Sequence, residues 1–209
     1  MQPPCSPCFG SEIGDVAPPL PAEIAALRDR GEPVWIFAYG SLLWDPEFCN
    51  AAASPALLRG YHRSLCLYSY DYRGTPARPG LTLGLDRGGS CRGMALWLPV
   101  EEFDRVWLRE MTGRRVYEMR WLPVQTGSGV LRALAFVVLR NCPDYAGRLP
   151  LDEVVRIILA AVGRRGTCRD YLESTFCHLE RLGLADRPLS RVAARVRALA
   201  LRRQEHGEF

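Results

Sequence analysis

Apolar and polar positions follow two different periods along the chain, and the change falls near residue 150. Before that point, apolar runs and alternating stretches predict strands over Val34 to Ala38, Ala56 to Tyr70, Tyr117 to Gln125 and Val130 to Leu139. Gly60 interrupts the second stretch, and a glycine inside a strand pattern indicates a bulge. We therefore expect the first two thirds of the chain to build a sheet.

Two further apolar segments, Leu81 to Leu85 and Cys91 to Leu98, flank the sequence Asp-Arg-Gly-Gly at 86–89. Turn residues between two strand-like segments predict a β-hairpin. Residues 72–80 hold two prolines and two glycines, so we expect a loop there.

Helical spacing of apolar residues occurs in five places. One short helix is predicted over Pro21 to Arg30, and a second follows Pro99. Three more come after Pro150, over Leu151 to Ala161, Cys168 to Leu182 and Pro188 to Gln204. Strands first and helices later, with one helix between strands, predict an α+β fold.

The length of 209 residues suits one sizeable domain. Residues 1–20 carry five of the sixteen prolines and little periodicity. We therefore expect residues 1–32 to be a flexible leader with a short helix and residues 33–187 to form the domain. Residues 188–209 are expected to form a basic C-terminal helix with a tail.

Composition argues against several classes of partner. The net charge is +4, without a basic patch interleaved with aromatic residues, so nucleic-acid binding is not expected. No apolar run reaches the roughly 18 residues that span a bilayer, and the N-terminus lacks a secretion signal. The eight cysteines show only a lone CxxC, Cys5 to Cys8, and no paired zinc spacing. We expect a monomeric cytoplasmic protein that does not bind a membrane.

The motifs of several enzyme classes are absent. The chain has three histidines, His62, His178 and His206, and no two are spaced to share a metal ion. No GxSxG, Walker-A or GxGxxG sequence occurs. Ser41 could act as a nucleophile only with a base beside it. The sequence thus predicts chemistry without a metal, a cofactor or a catalytic triad.

The stretch Phe-Ala-Tyr-Gly-Ser-Leu-Leu-Trp at 37–44 places a glycine and a hydroxyl directly after a predicted buried strand. Gly40 allows a ligand to approach the backbone closely, and successive N–H groups in such a turn can bind an anion. Ser41 adds a hydroxyl donor. This corner therefore suits a carboxylate, and the alternative is an ordinary junction between a strand and a loop.

Glu110 is the candidate for proton transfer. The helix after Pro99 has Phe103, Val106, Trp107 and Met111 at helical spacing, and near its end Trp107, Leu108 and Met111 surround Glu110 with apolar side chains. A carboxyl in such surroundings tends to have a raised pKa and can move protons. The alternative is a surface Glu110 paired with Arg114, one turn further on.

In order along the chain, these elements resemble the ChaC-type glutathione-specific γ-glutamylcyclotransferases, over about residues 34–184. The resemblance rests on five stretches: Phe37 to Trp44, Arg73 to Gly80, Arg109 to Met111 with Tyr117, Asn141 to Gly147, and Cys168 to Glu173. It implies a γ-glutamylcyclotransferase-like fold, with a small mixed β-barrel, flanking helices and a helical C-terminal part. It also implies release of 5-oxoproline and cysteinylglycine from glutathione.

The resemblance assigns roles to individual residues. Tyr39, Gly40, Ser41 and Leu42 would hold the γ-glutamyl group, and Glu110 would be the catalytic acid and base. The α-amine of a γ-glutamyl group can attack its own δ-carbonyl, so the protein has to orient the substrate and move protons. Further candidates are Arg73, as a clamp for the glycine carboxylate, and Tyr117 and Tyr171, as neighbouring hydrogen-bond donors or plain core aromatics.

Two alternatives remain open on the sequence. The same fold could act on other γ-glutamyl amines or dipeptides. It could also be a binding module that has lost its chemistry, since a fold does not dictate an activity.

Overall fold

The computed structural model describes residues 17–44, 52–184 and 186–205. Five long strands close into a barrel in the order β1, β3, β2, β4, β5. The last contact of the ring is parallel, with Ile36 of the first strand opposite Leu134 of the fifth. The strands are β1 (Val34–Ala38), β2 (Ala52–Ser69), β3 (Gly80–Leu98), β4 (Tyr117–Thr126) and β5 (Gly129–Val138).

Among the described residues, five α-helices surround this barrel. They are α1 (Ala22–Asp29), α2 (Phe103–Met111), α3 (Leu151–Ala160), α4 (Cys168–Arg181) and α5 (Arg187–Glu205). A short hairpin of β6 (Val162–Gly163) and β7 (Gly166–Thr167), not expected from the sequence, joins α3 to α4. A closed barrel with packed helices confirms the predicted α+β class. No helix in the described ranges is long and apolar enough to cross a membrane.

The predicted hairpin over residues 81–98 is wrong. Those residues form one continuous strand, β3, which pairs antiparallel with the equally long β2 over almost its whole length. Leu83 lies opposite Leu65, whereas Cys91 lies opposite Leu58, so each half pairs with β2 instead of with the other half. The glycines at 88 and 89 therefore sit beside a bulge and not in a turn.

The predicted bulge at Gly60 is confirmed. The pairing of β2 with β3 shifts register between Arg59 and Tyr61. Gly60 has φ +84°, a conformation that side-chain-bearing residues rarely adopt. The bulge lets a strand of 18 residues curve enough to take part in closing a small barrel.

Two helical layers bury the outer faces of the barrel. α1 and α2 contribute Ile24, Phe103 and Val106 to one apolar cluster with β1. α3, α4 and α5 form another cluster over Leu81 and Leu83 of β3. Residues Leu189, Ala193 and Val196 of α5 are buried in this second cluster. The division between a domain ending at 187 and a separate C-terminal helix stays a prediction.

The predicted helices are confirmed. Four of them begin and end within one residue of the expected bounds, whereas the helix expected after Pro99 starts as a 3₁₀ turn over Val100–Glu102 and becomes α-helical at Phe103. Pro21 directly precedes α1, and Gly31 follows it with φ +61°. Residues 1–16 of the expected flexible leader lie outside the described residues. Within the leader, the carbonyl of Pro18 accepts a hydrogen bond from the indole of Trp107, at 2.7 Å.

Candidate active site

The corner after β1 is a 3₁₀ turn over Ser41–Leu43. The N–H groups of Leu43 and Trp44 donate to the carbonyls of Gly40 and Ser41, at 3.0 and 3.1 Å. In the described part of the chain, no acceptor is found for the N–H groups of Ser41 and Leu42. The first N–H groups of a helical turn point outward without internal partners, which makes them available to an anion.

Tyr39 connects this corner to the barrel. Its hydroxyl donates to the carbonyl of Phe136 in β5 at 2.9 Å, and its ring lies near that of Phe37. Its own carbonyl accepts a hydrogen bond from the guanidinium of Arg63 at 2.6 Å. Burial, with the nearby charge of Glu110, raises the pKa of Tyr39 well above its usual range, so the phenol is neutral.

Glu110 lies in the last turn of α2, with 14% of its side chain exposed. Its Oε1 is 3.5 Å from Nε of Arg109. The alternative of a surface pair with Arg114 is wrong, because Arg114 donates to both carboxylate oxygens of Asp144 in the loop after β5. The Glu110 carboxylate is thus mostly buried and does not lie on an open helix surface.

Three tyrosines lie within reach of the Glu110 charge. Burial raises the pKa values of Tyr39, Tyr117 and Tyr171, and the carboxylate of Glu110 raises each of them further. For Tyr171 the pKa rises to about 12. The structure therefore brings together one carboxylate and three neutral phenols, which come from the residue after β1, from β4 and from α4.

The hydroxyls of two of these tyrosines contact the same peptide residue, Leu83 of β3. Tyr117 donates to the carbonyl of Leu83, and the hydroxyl oxygen of Tyr171 accepts from its N–H, both at 3.1 Å. Among the described residues, no acceptor is found for the proton of the Tyr171 hydroxyl. Tyr39 and Tyr117 give their protons to backbone carbonyls, so Tyr171 has a proton to donate to a ligand.

Arg73 lies on the loop between β2 and β3. Its guanidinium is 5.4 Å from the ring centre of Tyr171 and donates to the carbonyl of Arg165 at 2.5 Å. The structure records no carboxylate partner for Arg73 in the ranges it describes. This cation next to Tyr171 can therefore receive a carboxylate at the far end of a ligand that begins near Glu110.

The loop that carries Arg73 is attached to the β6–β7 hairpin. The N–H groups of Arg164 and Arg165 donate to the carbonyls of Asp71 and Tyr72, at 2.9 and 3.0 Å. Gly163 allows this contact, since a Cβ there would lie 2.5 Å from the Asp71 carbonyl oxygen. The hairpin thus fixes the direction in which Arg73 leaves the loop.

Ser41 is half-buried, and no histidine is hydrogen-bonded to it among the described residues. His62 contacts the carbonyl of Gly88 through Nδ1, at 3.0 Å. Among the described residues, Ser41 therefore has no histidine of the kind that a serine nucleophile uses as its base.

Two residues next to this site were not singled out by sequence reasoning. The indole of Trp44 donates to the hydroxyl of Thr175 in α4 at 3.0 Å, and its ring lies 6.3 Å from that of Tyr171. Arg63 is buried in β2, beneath the corner. The sequence did carry one sign of this burial. Arg63 is spaced by two residues from Leu65 and by four from Leu67, which places it on the apolar face of the predicted strand.

A surface cavity of about 260 Å³ lies elsewhere, between the loop before β3 and helix α3. Its only carboxylate, Glu153, is paired with Arg156, and the hydrogen bond from Arg156 lowers the pKa of Glu153. None of the predicted site residues lines this cavity. The groups able to transfer protons and bind carboxylates lie around Glu110, so the candidate site is there.

This barrel has the fold of the γ-glutamylcyclotransferases. A crystal structure of the yeast γ-glutamylcyclotransferase specific to glutathione matches 80% of this chain and 99% of its own length, with a TM-score of 0.71 and 19% identity. A sequence profile described as "ChaC-like protein" matches residues 34–199. The chain belongs to the ChaC-like family, as the resemblance implied.

Two relatives show the level of sequence identity between this chain and other proteins of similar length. The glutathione-specific γ-glutamylcyclotransferase of Escherichia coli (strain K12) is 35% identical over 186 residues, which cover 86% of this chain and 79% of the relative. The human glutathione-specific γ-glutamylcyclotransferase 1 is 32% identical over 155 residues, covering 69% of this chain and 70% of the relative.

Proposed function

We propose that this protein is a γ-glutamylcyclotransferase that releases 5-oxoproline and cysteinylglycine from glutathione. The observation that carries this proposal is the Glu110 carboxylate among three neutral phenols, in a chain of the ChaC-like family. The names of the bacterial and human relatives support the choice of glutathione as substrate.

The reaction needs little chemistry from the protein. The α-amine attacks the δ-carbonyl of the same γ-glutamyl group, a C–N bond forms in the five-membered lactam, and the bond to the cysteine nitrogen breaks. Because attack is intramolecular, holding the chain folded removes much of the entropic barrier. Glu110 takes a proton from the ammonium and returns one to the departing nitrogen.

The three phenols divide the polar contacts of the substrate. The hydroxyl of Tyr171 donates to the δ-carbonyl oxygen and stabilises the negative charge that develops there. The hydroxyl protons of Tyr39 and Tyr117 are already hydrogen-bonded to the carbonyls of Phe136 and Leu83. Their phenol oxygens are therefore left to accept hydrogen bonds from the substrate ammonium.

The carboxylates of the substrate have separate partners. The N–H groups of the Gly40 to Leu42 corner, with the Ser41 hydroxyl, bind the α-carboxylate. Arg73 binds the glycine carboxylate, because its guanidinium is positioned beside Tyr171 without a carboxylate partner in the described chain. This arrangement orders the substrate from its γ-glutamyl end to its glycine end.

We expect the Glu110→Gln variant to fold and to bind glutathione but to lose activity by about 10²- to 10⁴-fold, the usual contribution of a general acid and base. The measurement is release of 5-oxoproline and cysteinylglycine from reduced glutathione by purified protein. The matched control is Glu101→Gln, on the exposed turn before α2, which should keep full activity. Normal turnover by Glu110→Gln would contradict the proposed mechanism.

We further propose that the enzyme acts as a monomer in the cytoplasm. The second part is supported by the thiols of Cys66, Cys91 and Cys168, which are buried at separate places, as suits a reducing compartment. Sedimentation of the purified protein and fractionation of cells that produce it test the two parts.

A further inference from the structure

Arg63 is a charged residue in the apolar interior. Its side chain is 1% exposed, and all three ends of its guanidinium donate hydrogen bonds. Nε donates to the carbonyl of Tyr39 at 2.6 Å, Nη2 to the carbonyl of Arg92 at 2.7 Å, and Nη1 to Oδ2 of Asp186 at 2.5 Å. A buried cation is costly unless its donors are satisfied in this way.

Asp186 has a second role, because it directly precedes helix α5. Its Oδ1 accepts from the N–H of Leu189 at 2.9 Å, and its carbonyl accepts from the N–H of Ser190 at 3.0 Å. The same carboxylate thus caps the C-terminal helix with one oxygen and binds Arg63 with the other.

The Tyr39 carbonyl matters because of the geometry of the peptide group. A trans peptide is planar, so its C=O and the following N–H point in opposite directions. A guanidinium that fixes the Tyr39 carbonyl therefore fixes the direction of the Gly40 N–H as well. Gly40 is the first residue of the corner.

We infer that Arg63, held by Asp186, is a positioning residue that orients the Tyr39–Gly40 peptide for substrate binding. The inference rests on the proposed function of the corner, as the site that binds the γ-glutamyl carboxylate. It makes the start of α5 part of the support of the active site, although α5 lies about 150 residues further along the chain. Arg63 and Asp186 touch neither the reacting atoms nor the substrate.

The first test is the Asp186→Asn variant. An asparagine keeps an oxygen to cap α5, but it presents an N–H donor where Arg63 needs an acceptor. The corner binds the same carboxylate before and during the reaction, so we expect KM for glutathione to rise about tenfold with kcat within about twofold of the parent. The matched control is Arg197→Gln, which removes the ion pair between Arg197 of α5 and Glu173 of α4 and should leave both constants unchanged.

The second test does not depend on turnover. Amide hydrogen exchange of the unliganded protein should be faster in Asp186→Asn than in the parent over residues 39–44, and unchanged there in Arg197→Gln. Exchange over α5 should remain close to that of the parent, because the cap is kept. Arg63→Lys, which loses the planar fork, should give the same local increase if it folds.

The outcomes separate this inference from the proposed function. Unchanged exchange over residues 39–44 in Asp186→Asn, or an equal KM increase in Arg197→Gln, would overturn the positioning role. A parent protein that releases no 5-oxoproline would overturn the proposed function, and the exchange measurement would still decide whether Asp186 orders the corner.

Discussion

The corner at residues 39–42 and the end of helix α2 at Glu110 form the two sides of the candidate site, and each is supported by an arginine–aspartate pair. At the corner the cation is the more buried partner, since Arg63 is 1% exposed and Asp186 is 32% exposed. Near Glu110 the carboxylate is the more buried partner, with Asp144 4% exposed and Arg114 31% exposed.

The two pairs act on the site in different ways. Arg63 bonds directly to the backbone of the corner. Arg114 lies in the linker between Glu110 and Tyr117 and fixes that linker to the loop after β5, while its guanidinium lies 5.1 Å from the ring centre of Tyr70. Loss of the first pair is expected to change substrate binding, and loss of the second to change stability and the placement of the proton-transfer group.

The largest effect after loss of Glu110 itself is expected from Arg114→Met. This change leaves the buried carboxylate of Asp144 without its cation, which costs about 3 kcal/mol of unfolding free energy. Urea denaturation measures that cost. In the folded fraction, kcat should fall while KM holds, the reverse of Asp186→Asn.

The control for this prediction is Arg156→Met, which breaks the exposed pair with Glu153 and should leave the unfolding free energy unchanged within error. Equal stability losses in Arg114→Met and Arg156→Met would show that the pair with Asp144 is no stronger than a surface pair.

Tyr171→Phe and Tyr117→Phe form a matched pair, because each loses one hydrogen bond with Leu83. Only Tyr171 has a proton available for the developing oxyanion, so we expect kcat to fall about 30-fold in Tyr171→Phe. In Tyr117→Phe the fall should be no more than about fivefold, because the lost hydroxyl donates to the carbonyl of Leu83 and accepts from the substrate ammonium, and donates nothing to the developing oxyanion. Steady-state kinetics with glutathione measure both, and equal losses would contradict the assignment of the donor.

Arg73→Met tests the far end of the site. We expect kcat/KM for glutathione to fall about tenfold, because a charge-assisted hydrogen bond to the glycine carboxylate is lost. The dipeptide γ-glutamylcysteine lacks that glycine, so its kcat/KM should hardly change. Arg78→Met, on the same loop, is the control. A parallel loss for both substrates would mean that Arg73 supports the loop and does not bind the carboxylate.

Ser41→Ala should have the smallest effect, about threefold on kcat/KM, because the backbone N–H groups of the corner remain when one neutral donor is lost. Progress curves at low glutathione concentration are sensitive enough to resolve it. A loss as deep as that of Glu110→Gln would reopen the interpretation of Ser41 as a nucleophile.

Much of the fold could be predicted from the sequence, because periodicity is a local property. The helices and β1, β4 and β5 follow the expected ranges. The hairpin at 81–98 failed because the Gly-Gly pair at 88 and 89 is compatible with a turn or a bulge, and only the distant partner strand β2 decides between them.

For the candidate site, too, local features could be predicted and long-range contacts could not. Glu110 and the corner were recognisable from local sequence and from the resemblance to a family. The partner of Arg114 was not, because Asp144 is 30 residues away and Glu110 is the closer carboxylate along the helix. The contact between Arg63 and Asp186 spans 123 residues, so an arginine in an apolar phase was the only local sign of it.

The contacts at Leu83 have a consequence for how the site is assembled. Tyr117 of β4 and Tyr171 of α4 form hydrogen bonds with the C=O and the N–H, respectively, of this one residue near the start of β3. A slip of β3 by one residue would turn these groups to the other side of the strand and leave both phenols without their partner. Turnover of glutathione is thus expected only from barrels with the correct strand register, and enzyme activity can serve as a sensitive assay for refolding of β3.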